Sequence, residues 1–110
     1  MRRATSISCP VRSFCMAVGA DGYSTFDGKG WSKPTSIPEF PSAFVPEVSC
    51  GSSHSCTIIG LNGESSQWSG GSWSAPVSAF TGEFLGTVAV SCASARFCMA
   101  VNSRGTAAHT

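Results

Sequence analysis

Six cysteines carry the most obvious covalent chemistry in this 110-residue chain. They fall as three C-x5-C pairs: Cys9 with Cys15, Cys50 with Cys56, and Cys92 with Cys98. At that spacing the two members can face each other across a hairpin, within disulfide reach. Closing so short a loop stabilises by about 2 kcal/mol on the chain-entropy account. Reduced thiols filling small buried positions are the alternative. A structural zinc site calls for tighter cysteine spacing and two further ligands, which these pairs do not supply. The two histidines, His54 and His109, form the next candidate set. Copies of His109 from different chains, gathered by symmetry with an acid such as Asp21 or Glu64, could hold a divalent metal and activate water. The third set is Trp31, Trp68 and Trp73, whose ring faces suit the C–H-rich face of a sugar. Packing between neighbouring structural units is the architectural reading of the same tryptophans. The sequence holds no nucleophile elbow, phosphate-binding loop or dinucleotide fingerprint.

The cysteine pairs sit inside a repeat. Ile7-Ser8-Cys9 returns as Val48-Ser49-Cys50 after 41 residues and as Val90-Ser91-Cys92 after 42 more. Trp31-Ser32-Lys33-Pro34 returns as Trp73-Ser74-Ala75-Pro76, after one extra residue placed at about Ser72. Each full copy has four strand-like pieces, which in the first are Ser6–Cys9, Phe14–Ala20, Tyr23–Phe26 and Trp31–Ile37. Asp21-Gly22 and Asn62-Gly63 read as two-residue hairpin turns. No helical period is present, and Gly and Pro interrupt every window long enough for one. A period of about 40–45 residues built from four short strands is the pattern of a β-propeller blade. The expected fold is therefore all-β, with antiparallel blades over 6–46, 47–88 and 89–110 of a single folding unit. The third copy holds three strands, giving eleven in all.

This alignment places His54 with Ser13 and Arg96, in the cysteine hairpin. It places His109 with Phe26 and Gln67. Trp31 and Trp73 share a column, whereas Trp68 falls beside Asp27 and Thr110. A residue outside the repeat pattern is freer of blade architecture, which makes Trp68 the stronger ligand candidate. The connections Pro38–Glu47 and Phe80–Ala89 add Phe40, Phe44, Phe80 and Phe84, with Glu39, Glu47 and Glu83, to one rim of the fold.

Propellers close with about 4–8 blades. A chain with fewer than three leaves apolar blade faces open, and such faces mark interfaces. The expected partner is a second copy, two chains closing a six-bladed ring. Charged residues make up 12% of the chain and the formal net charge is +1, which excludes an electrostatic case for nucleic acid. No apolar run is long enough for a membrane helix. Met1–Ser6 lacks the apolar core of a signal peptide. The paired cysteines point instead to an oxidising compartment. A piece of a longer secreted protein reconciles the two.

The units Ser-Cys-(five residues)-Cys-Met-Ala-Val and Gly-x-Trp-Ser-x-Pro resemble a tandem repeat of secreted bacterial proteins, notably actinobacterial ones. That resemblance spans nearly the whole chain and implies a propeller. A looser, architectural similarity to tachylectin-like and fucose-binding lectin propellers implies carbohydrate or small-molecule binding, and transfers no binding residue. The expectation is an extracellular ligand-binding module with no cofactor. The alternative is a small esterase or phosphotriesterase-like hydrolase, with a metal permitted, whose site forms at a subunit seam or central channel. Histidines 54 and 109 are its candidate catalytic residues.

Overall fold

The structure is a computed structural model that describes residues 4–38, 47–60, 63–78, 88–102, 105 and 107–109. Among these no helix occurs. The first sheet orders β1 (Ala4–Val11), β2 (Phe14–Gly19) and β3 (Gly22–Phe26) side by side. The second orders β4 (Glu47–Ser52), β5 (Ser55–Ile59), β6 (Glu64–Ser69) and β7 (Ser72–Trp73), with β8 (Val77–Ser78) also on β6. The third holds β9 (Val88–Ser94), β10 (Phe97–Asn102) and β11 (Ala107–His109). All pairings are antiparallel. The first strands of the three sheets, β1, β4 and β9, pack successively against one another. Three blades thus fan out from a shared inner edge.

The cysteine pairs are closed as expected. Cys9–Cys15, Cys50–Cys56 and Cys92–Cys98 are disulfides with Cα–Cα distances of 4.1, 3.9 and 4.0 Å. Each joins the first two strands of its blade, and no cysteine is free among the described residues. Three such bonds are compatible with an extracellular protein.

The fourth strand is more irregular than the sequence suggests. In blade 1 it forms no continuous ladder with β3 but two isolated bridges, Tyr23 with Thr35 and Phe26 with Trp31. In blade 2 it is split into β7 and β8 around Pro76, which cannot donate to a ladder. The Trp-Ser unit compensates through the serine. The Ser32 hydroxyl accepts the Thr25 amide at 2.9 Å, and the Ser74 hydroxyl accepts the Gln67 amide at 2.9 Å. The Ser24 and Ser66 hydroxyls donate back to the Ser32 and Ser74 carbonyls. Asp27 caps the neighbouring turn by accepting the Lys29 and Gly30 amides at 2.8 and 3.0 Å, which holds its carboxyl below the ordinary range.

The second turns also differ from expectation. Gly22 is not a central turn residue, because it already pairs with Gly19 across the hairpin. It is glycine for another reason. Its φ is +107°, and a Cβ there would overlap the Thr35 carbonyl of the outer strand. In blade 2 the turn is one residue longer: the Gly63 amide donates to the Gly60 carbonyl and the Gly60 amide to the Glu64 carbonyl.

That longer turn moves the alignment. Cys15 faces Phe26 across its hairpin, and Cys56 faces Trp68. Met16 faces Thr25, Thr57 faces Gln67, and Met99 faces His109. The extra residue therefore lies in the turn between Gly60 and Glu64, not at Ser72. Trp68 shares a column with Phe26, and His109 one with Thr25 and Gln67.

Two kinds of contact hold the blades together. One is apolar: Met16, Val18, Ile37, Val48, Cys50, Cys56, Ile58 and Trp68 form a single buried cluster spanning blades 1 and 2, with Phe14, Tyr23 and Trp73 at its edge. The other is a serine stitch. The Ser8 hydroxyl accepts the Cys50 amide at 2.9 Å, and the Ser49 hydroxyl accepts the Cys92 amide at 2.8 Å. Ser6 takes the Val48 amide in the same way at 3.2 Å. Edge strands normally leave such amides open to solvent or to foreign strands. Here the serine before the first cysteine of blades 1 and 2 satisfies one on the next blade.

Blades 2 and 3 approach closely at Gly51, where a Cβ would overlap the Ser94 carbonyl and the Ala95 amide. Gly51→Ala is expected to destabilise the fold by about 1–3 kcal/mol, because backbone must move to admit the methyl group. Denaturant unfolding measures the loss, and hydrogen exchange should rise in β9 and β10. Unchanged stability and exchange would remove Gly51 from the interblade contact.

Candidate functional site

Two concave surfaces line up with the blades. The first is a groove of about 460 Å³ between blades 2 and 3. Blade 2 contributes Thr57, Ile59, Ser65, Gln67 and Val77, and blade 3 contributes Val90, Met99 and Ala108. Blade 3 has three strands among the described residues. The polar groups are not equally available. The Ser66 and Ser74 hydroxyls are spent on the strand stitch. The Thr57 hydroxyl lies 3.4 Å from Cys98 Sγ, and as Cys98 is disulfide-bonded, Thr57 is the donor. Gln67 is exposed and Ser65 half-buried, so these two supply the side-chain donors and acceptors facing the groove. The remaining lining is apolar. The arrangement can hold an uncharged ligand by a few hydrogen bonds and apolar contact.

The second surface lies on the outer face of blade 1. It is about 520 Å³, bounded by Thr5, Ile7, Ala17, Ser24, Trp31 and Ser32. Trp31 is 49% exposed and rests against Phe26 at a ring separation of 5.4 Å.

The other tryptophans answer to architecture. Trp68 is 8% exposed and stacks on Phe14 of blade 1, centroids 5.6 Å apart and planes 14° apart. The expectation that Trp68 stands outside the repeat is therefore corrected: it fills the column of Phe26 and packs between blades. Trp73 meets Tyr23 of blade 1 edge-on at 5.2 Å. Both indole N–H groups are buried and make no hydrogen bond among the described residues.

His54 is exposed in the two-residue turn between β4 and β5, its Nδ1 2.8 Å from the Ser53 hydroxyl. His109 pairs through its backbone with Met99, a groove residue, and its side chain lies outside the described residues. Asp21 sits in the β2–β3 turn and Glu64 opens β6. No group of three His, Cys, Asp or Glu fit for a metal occurs among the described residues. Of the acidic rim only Glu47 is described, and burial raises its carboxyl above the usual range. Glu39, Phe40, Phe44, Phe80, Glu83 and Phe84 lie outside the described residues.

Sequence reasoning did not assign roles to Ser8, Ser49, Gly51 or Gln67. The first two had a signal, since a serine precedes the first cysteine of all three copies.

With the geometry in place, comparison with known proteins settles the fold. A solved structure described as "YCF48 bound to D1 peptide" superposes with a TM-score of 0.77 at 18% sequence identity. It covers 98% of this chain, and the chain spans 37% of that protein's length. The chain is a β-propeller segment. At that identity the likeness carries the architecture and nothing finer. No family model matches the chain, so the repeat resemblance is supported only as far as the propeller fold, and no curated protein matches it.

Proposed function

We propose that this propeller segment is an extracellular ligand-binding module whose ligand enters the groove between blades 2 and 3. The single observation behind this reading is the groove's lining: the Gln67 amide and Ser65 hydroxyl stand among Ile59, Val77, Val90 and Met99. That mixture of apolar surface with a few convergent uncharged hydrogen-bonding groups fits a glycan better than an ionic ligand. The neighbouring structure's printed D1 peptide makes an extended peptide the comparison ligand for the same test. No cofactor is needed for such binding.

The test is a glycan array followed by calorimetry on disulfide-intact protein. Gln67→Ala should weaken the best glycan about three- to tenfold, the worth of one net hydrogen bond. An array without hits would overturn the glycan reading. The hydrolase reading rests on His109, which β11 holds opposite the groove residue Met99. Turnover of an activated ester or phosphotriester, lost in both chelator and His109→Ala, would favour it over binding alone.

A further inference from the structure

The same columns of the repeat are buried at the internal blade contacts and bare on the two outer faces. Val48 is 6% exposed where blade 1 covers it, while its counterpart Ile7 on the outer face of blade 1 is 58% exposed. Val18 and Ile59 are fully buried against the following blade, whereas Val101, in their column on blade 3, is 47% exposed. Phe14 stacks on Trp68 of the next blade, while its counterpart Phe97 is 50% exposed. Trp73 rests on Tyr23 of the preceding blade, while its counterpart Trp31 is 49% exposed.

The polar stitch has the same two loose ends. Ser8 and Ser49 each accept the amide of a cysteine one blade on. Ser91 holds their place on blade 3, is exposed, and has no partner among the described residues. Cys9 holds the place of Cys50 and Cys92 on β1, an edge strand of its sheet.

We propose that the outer face of blade 3 docks on the outer face of blade 1 of a second copy of this chain, head to tail, repeating the internal blade contact. The Ser91 hydroxyl accepts the amide of Cys9 of that copy, and Phe97 packs on its Phe26 beside Trp31. The occupant is specified by complementarity. Each face lacks what the other displays, in the register that two internal contacts already use. A glycan stacked on Trp31 would satisfy neither the Cys9 amide nor Ile7. A head-to-tail contact between unlike faces closes into a ring or runs on as a filament. Repetition of one blade geometry favours the ring, and two chains bring six blades, within the range of about 4–8 that propellers close with. The contact uses neither Gln67 nor Ser65, so it stands or falls separately from the groove.

The experiment uses two single-face variants of the disulfide-intact chain. Phe97→Glu spoils the blade 3 face and Ile7→Lys spoils the blade 1 face; both positions are exposed, and native mass spectrometry with non-reducing peptide mapping verifies folded, correctly linked chains. The wild-type chain should run as a discrete oligomer at micromolar concentration, twice the chain mass for the six-bladed ring. Each variant alone should be a monomer. Mixed at equal amounts they should form a one-to-one pair, because the good face of each meets the good face of the other. Ser91→Ala should weaken the wild-type association about 25-fold, one net hydrogen bond worth about five-fold at each of the ring's two contacts. A monomeric wild-type chain overturns the proposal. So does self-association of either variant at wild-type strength, or failure of the folded variants to pair on mixing.

Discussion

Full reduction of the three disulfides should unfold the chain at room temperature. A protein of 110 residues has about 5–15 kcal/mol of net stability. Each short disulfide loop contributes about 2 kcal/mol by constraining the unfolded chain. Losing three such contributions removes a large share of that stability, or all of it. The loss should also be ordered. Cys50 and Cys56 are 5% and 1% exposed, shielded in the cluster between blades 1 and 2, whereas Cys9 is exposed on the open face of blade 1. A reductant titration quenched with an alkylating agent should therefore label Cys9 and Cys15 first and Cys50 and Cys56 last. Circular dichroism should hold its β signal until the last pair opens. A fully reduced chain with an unchanged thermal midpoint would show that the apolar cluster and serine stitches suffice by themselves. In a self-docked chain, the Cys9 pair would be covered too, and the order of reduction would become concentration-dependent.

How much of this was legible in the sequence depends on how local each determinant is. The disulfides and blade hairpins are local: Cys50 and Cys56 lie on adjacent strands joined by a two-residue turn, so spacing alone brings them face to face. The all-β architecture followed from the same economy, because a repeated unit that cannot bury its own face must stack. The site was harder. Trp68 falls in the wrong column when counted forward from Cys56, because the extra residue of turn between Gly60 and Glu64 goes unseen; counted back from Trp73 it falls beside Phe26. The register is set by backbone pairing with Cys56, and one residue of slip moves a strand's side chains to the opposite face. The groove was invisible for a different reason. Gln67 and Met99 are 32 positions apart and line one groove only because blades 2 and 3 pack side by side. Gly51 itself looked like one more β-protein glycine. Its φ is unremarkable, and what demands it is a carbonyl from another blade.

Trp68 separates architecture from ligand binding by the size and selectivity of its mutational response. Trp68→Ala should cost about 3–5 kcal/mol, the usual toll for deleting a buried aromatic side chain. The ring fills the space between Phe14 of blade 1 and the Cys50–Cys56 disulfide region of its own blade. Trp68→Phe should behave very differently. Phenylalanine already occupies this column in blade 1, as Phe26. It keeps a ring against Phe14, and it removes an indole N–H that is buried and makes no hydrogen bond among the described residues. Discarding an unsatisfied donor returns about 1–3 kcal/mol, which offsets the small cavity that the narrower ring leaves. The phenylalanine variant should therefore unfold within about 1 kcal/mol of wild type, while binding in the groove stays unchanged because Trp68 faces blade 1 rather than blade 3. Chemical denaturation and calorimetry on the same two variants read both effects. A Trp68→Phe protein that is fully stable yet has lost its ligand would return Trp68 to the binding site and break the link drawn here between its column and the blade interface.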